Sequence, residues 1–115
     1  MRRLAPLIDV VCVVAFVGIG RVAHDHGISL AGMASTTWPF GLGLLAGWAL
    51  VARLHRALLR PLSGEIVVMT TVALGMVLRV IAGQGTAPAF IVVAWAFLTL
   101  FIVGWRLCAQ RFARP

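Results

Sequence analysis

The segment Gly75-Met76-Val77-Leu78-Arg79-Val80-Ile81-Ala82-Gly83-Gln84-Gly85-Thr86 places an arginine inside an apolar run and then closes the run with a Gly-Gln-Gly-Thr turn. A charge at that depth is costly in lipid, so Arg79 is expected to face a protein interior or a wet cavity. The same arrangement recurs on either side: long apolar blocks, arginines at their ends, short polar connections.

The 115 residues are 62% hydrophobic and 11% charged, with a mean hydropathy of +1.05. Soluble domains average roughly 45–50% apolar and 25% charged residues. The surplus falls in blocks long enough to cross a bilayer. The expected class is an all-α integral membrane protein, a single domain over residues 1–115 with no separate soluble module. Ten basic residues, all arginine, against three acidic ones give a net charge of +7. These arginines sit at span ends rather than on a soluble face, which argues for topology and against nucleic-acid binding. Cys12 in the first apolar block and Cys108 at the end of the last read as membrane-facing or core residues, not a disulfide framework. The N-terminus starts as a signal peptide does. Asp9 interrupts its apolar run, however, and Arg21-Val22-Ala23 is a poor cleavage site, so a retained helix is expected.

Four spans are expected, over about 4–20, 38–54, 64–82 and 87–107. Pro6 and Pro39 suit the first turns of the first two, where a missing N–H loses no hydrogen bond. Trp38 and Trp105 suit the headgroup region. Ser63 reads as the N-cap of the third span, with Glu65 near its positive end. The stretch Ile28 to Ala34 reads as an interfacial helical turn. Arg2, Arg3, Arg53, Arg56, Arg60, Arg106, Arg111 and Arg114 fall on one side, and Arg21 and Arg79 on the other. That asymmetry places both termini on the cytoplasmic side of the inner membrane. Gly43 and Gly47 on the second span, and Thr71 and Gly75 on the third, offer close backbone approach, either within the chain or in a homo-oligomer.

Two groups of residues could carry chemistry. On the inner side, Asp9 and Glu65 are the acids. Asp9 either pairs with Arg2, Arg3 or a loop arginine, or binds a cation or proton in a small exchanger. On the outer side Arg21, His24, Arg79, Gln84 and Thr86 group together, with Asp25 and His26 beside them. They could hold a small anion or an anionic headgroup through the arginine forks. Alternatively, Arg21 pairs with Asp25 and Arg79 bonds loop carbonyls. His24-Asp25-His26 does not make a metal site, since adjacent loop residues rarely converge on one ion, and no cofactor is implied. With no nucleophile–base pair, phosphate-cradling glycine loop or zinc-binding pattern, an enzyme is not expected. Each half of the chain reads acid, apolar helix, arginine, connection, proline and then Phe40 or Phe90, as two parallel hairpin repeats would.

Asp9, Gly20-Arg21 with His24, Trp38-Pro39-Phe40, Gly75-Met76 with Leu78-Arg79, and Gly83-Gln84-Gly85-Thr86-Ala87 followed by Phe90 form a string covering nearly the whole chain. It resembles the bacterial and archaeal membrane family known as domain of unknown function 3054, common in actinobacteria. The resemblance implies four membrane helices and no established activity. Small multidrug exchangers are similar in size, but this chain has an aspartate in the first helix, a strong charge bias, and Arg21 and Arg79 to repel cations. The glycine-asparagine pattern of fluoride channels is absent. The leading expectation is a non-enzymatic accessory or self-associating membrane component, with partners among the lipid bilayer, an anionic lipid, a second copy or a larger complex. The alternative is a small transporter or channel using Asp9 and Arg79.

Overall fold

The structure, a computed structural model, describes residues 3–23, 27 and 29–113. It is all-helical among the described residues. Helix α1 spans Ala5–Ala23, α2 Leu30–Arg53 and α3 Pro61–Ile81. A fourth rod joins α4 (Pro88–Leu98), a π-helical turn (Thr99–Val103) and α5 (Gly104–Ala113). Three of the four rods are long and apolar enough to cross a membrane: α1, α3 and the rod over 88–112. At about 1.5 Å per residue they reach roughly 28 to 37 Å, against a hydrocarbon core of about 30 Å. Helix α2 is as long, at 24 residues, but Ser35, Thr36, Thr37 and several glycines dilute its apolar character.

Two helix starts differ from the sequence expectation. Helix α2 begins at Leu30, not Trp38, because Ser29 caps it, its hydroxyl accepting from Gly32 N–H. Residues 30–34 of the expected interfacial turn are therefore the first part of α2, Ile28 lying outside the described residues, and Pro39 lies inside the helix. Ser63 is not the N-cap of α3: Arg60 occupies that position and Pro61 opens the helix, as its fixed φ favours. Ser63 is instead buried within the first turns. The fourth rod also runs beyond residue 107, as the polar α5.

The core is formed by inward residues of all four rods, among them Val13, Phe16, Phe40, Leu44, Val67, Val68, Leu98 and Ile102. Phe16 is its hub, with ring centroids 5.8 Å from Phe40, 5.9 Å from Phe90 and 5.4 Å from Phe97. Helices α2 and α3 approach most closely. A Cβ on Gly43 would lie 2.8 Å from Thr71 Cα, and one on Gly47 3.0 Å from Val67 Cα. Gly75 makes room for the Phe40 ring, whose Cδ1 would be 2.8 Å from an added Cβ. The small faces of α2 and α3 are thus spent on each other.

Gly43→Ala is expected to force the two backbones apart and cost about 1–3 kcal/mol. Gly41→Ala, where an added Cβ meets nothing within 4 Å, is expected to leave stability unchanged or slightly raised. Thermal unfolding in detergent compares the two.

Candidate functional site

Polar residues gather at the two ends of the bundle. At the end holding residue 3 and α5, Asp9 and Arg106 are both fully buried and form a two-pronged ion pair, with Nη1 to Oδ1 at 2.8 Å and Nη2 to Oδ2 at 2.9 Å. Two indoles complete the carboxylate's shell: Trp105 Nε1 donates to Oδ1 at 2.9 Å and Trp48 Nε1 to Oδ2 at 3.0 Å. Each oxygen of Asp9 therefore accepts two hydrogen bonds. Arg106 is equally engaged, since Nε donates to Leu58 O at 2.8 Å and Nη1 also to Ile102 O at 3.0 Å. Gly64 leaves the space for this side chain; a Cβ there would lie 2.8 Å from Arg106 Cδ. One pair thus joins α1, α2, the α2–α3 connection, α3 and the fourth rod.

Sequence reasoning assigned Arg106 to the flank and Trp105 to the headgroup region, and left Trp48 unremarked. The signal available was their proximity in sequence: an arginine and an indole adjacent at the end of an apolar run, each needing a partner if buried. Glu65 stays apart from Asp9 and accepts from Thr99 Oγ1 at 3.0 Å, at the start of the π-helical turn.

At the opposite end Arg21 and Arg79 have closely parallel bonding. Arg21 Nε donates to Gly27 O and Arg79 Nε to Gly85 O, each at 2.9 Å and each six residues along the chain. Arg21 Nη1 donates to Thr36 Oγ1 and Arg79 Nη1 to Gln84 Oε1, again at 2.9 Å. The Arg79 guanidinium also lies 4.6 Å from the Phe90 ring centroid, over the aromatic core. The Arg79–Gln84 contact follows from how α3 ends. Gly83 takes a left-handed φ of 78°, which lets its N–H bond Val80 O and the Gln84 N–H bond Arg79 O.

Pro39 links the two arginines. It has no N–H to give the carbonyl of Ser35 one turn earlier. Gln84 Nε2 supplies that bond from the α3–α4 connection, at 3.1 Å. Ser35 and Thr36 are neighbours, so α2 receives Arg21 at Thr36 and the Arg79–Gln84 unit at Ser35. Thr86 is half-buried in the same connection. His24 lies outside the described residues, as do Asp25 and His26.

The sequence matches the family described as "Protein of unknown function (DUF3054)" over residues 6–109. The chain belongs to that family. The match spans both arginine-bearing ends, Asp9 and Arg106. No curated protein matches, and no solved structure does either. Membership of DUF3054 thus supplies a family but no activity, and the membrane-like helices are a feature of the fold itself.

Asp9→Leu alone leaves the Arg106 charge buried without its counter-ion and is expected to cost about 3–5 kcal/mol. Asp9→Leu with Arg106→Met is expected to recover most of it, as a double-mutant cycle in denaturant will show. At the other end, Gln84→Leu is expected to cost about 1 kcal/mol. The cost falls in a Pro39→Ala background, where the new N–H can take the Ser35 carbonyl, and paired unfolding curves measure the difference.

Proposed function

We propose that this DUF3054 chain is a non-enzymatic four-span bundle of the inner membrane, with both termini cytoplasmic. It would serve as an accessory subunit or a self-associating component. The observation that carries this reading is the saturation of Asp9. A carboxylate that exchanges a proton or cation needs a free lone pair and a wet approach. Asp9 is fully buried, with both oxygens doubly occupied by fixed donors. That arrangement suits a structural tie.

Helix α2 is counted as the fourth span because its 24 residues match its neighbours in length and its Gly43 and Gly47 lie against α3. The eight-to-two arginine asymmetry supports the orientation. The shared bonding of Arg21 and Arg79 supports two parallel hairpin repeats. Their network, with Gln84, would organise the outer end or hold an anionic headgroup there. A small transporter or channel using Asp9 and Arg79 has less support, since the two side chains are held at opposite ends by separate networks.

Native mass spectrometry of protein released gently from its own membrane tests the proposal. A homo-oligomer or a complex with another membrane protein is the expected species. A monomer that carries flux in liposomes, with flux lost in Asp9→Asn while folding persists, would overturn it.

A further inference from the structure

The α2–α3 connection closes in a way that builds a second basic feature. His55 adopts a left-handed φ of 55°, a backbone that glycine usually supplies. Its N–H donates to Ala52 O at 3.0 Å, and the Arg56 N–H to Val51 O at 3.1 Å. The chain turns back on α2. Arg56, Ala57, Leu58 and Leu59 then line, with Arg3, a cleft of about 620 Å³. Small-ligand sites commonly occupy roughly 300–1,000 Å³. One wall is fixed, because the Leu58 carbonyl is held by Arg106 Nε.

Arg56 Nε is buried and has no hydrogen-bond partner among the described residues. That orphaned N–H adds to the cost of an uncompensated charge, while the half-buried Arg56 as a whole still lines the cleft. The chain has few acids to offer. Asp9 is consumed by Arg106 and the two indoles, and Glu65 accepts from Thr99. Asp25 belongs to the α1–α2 connection, outside the described residues. Among the described residues Arg106–Asp9 is the one ion pair. Neither Arg3 nor Arg56 has an internal counter-ion there.

We propose that this cleft binds a phosphate-bearing anion, its oxygens accepting from the guanidinium groups of Arg56 and Arg3. Two guanidinium groups suit an anion that offers several oxygens, and arginine donates to phosphate through two parallel N–H groups. Ala57, Leu58 and Leu59 add apolar wall beside the charges, which suits the glycerol and acyl portion of an anionic phospholipid. The same donors would serve a free phosphate. The site is separate from the Arg21–Arg79 network and does not depend on the accessory role.

The test uses full-length protein in a phosphate-free maltoside detergent, with thermal shift and native mass spectrometry as readouts. Phosphatidylglycerol, zwitterionic phosphatidylcholine and inorganic phosphate are titrated separately. Wild type is expected to be stabilised by phosphatidylglycerol, with affinity falling about tenfold in Arg56→Gln and in Arg3→Gln. Arg111→Gln, exposed on α5, is expected to bind as wild type. A response to phosphatidylglycerol alone assigns the site to a lipid headgroup, and a response to inorganic phosphate as well assigns it to free phosphate. If Arg56→Gln does not fold, Arg3→Gln carries the comparison from an exposed side chain. No response of wild type to either anion, equal retention of phosphatidylcholine, or undiminished binding in the folded variants overturns the proposal.

Discussion

The buried pair of Asp9 and Arg106 is the constraint on which the rest of the bundle depends. Pulling two charges out of water is costly, and their attraction offsets that cost only when the geometry is good and every remaining donor and acceptor is met. Both conditions hold. The guanidinium fork meets the carboxylate squarely, two indoles occupy the other lone pairs, and backbone carbonyls of Leu58 and Ile102 take what Arg106 has left. Apolar contacts between helices are tolerant of sliding, since one leucine resembles the next. A two-pronged bond with a fixed retinue is not. The pair therefore sets the depth and rotation of α1 against the fourth rod, and Gly64 keeps α3 close enough to belong to the same arrangement.

The opposite end solves a different problem. Proline within α2 breaks one backbone bond, and the break exposes a carbonyl on a helix that already offers a threonine hydroxyl beside it. Two arginines at the ends of α1 and α3, with the glutamine that follows the glycine stop of α3, are built to meet such acceptors. The defect in α2 thus becomes an attachment point for its two neighbours. Between the ends, packing is close where glycine permits and aromatic elsewhere, with Phe16 touching three other rings.

Much of this was legible in the sequence and some was not, for physical reasons. Apolar blocks of span length reveal α1, α3 and the fourth rod because lipid-length burial has a compositional signature. The start of α2 is misread when Trp38-Pro39 is taken as the opening of a helix. Proline is favoured in a first turn, but it is also tolerated inside a helix when another group satisfies the orphaned carbonyl. That group, Gln84, is 49 residues from Ser35, beyond any local pattern. The intramembrane cost of Asp9 and Arg79 is visible in composition, whereas the partner of Asp9 is not. Arg106 stands among Arg111 and Arg114 and reads as one more flanking charge. Only the folded chain distinguishes Arg106, which turns inward, from Arg111, which stays exposed.

The separation of 97 residues between Asp9 and Arg106 has a consequence for how such a chain is made. Synthesis delivers α1 well before α5, so the carboxylate is committed long before its counter-charge exists. Until α5 emerges, Asp9 must stay hydrated near the surface or borrow a transient cation. Helix α5 therefore acts as a closing step, drawing α1 to its definitive position. A nascent chain stopped short of residue 106 retains an uncompensated acid in α1.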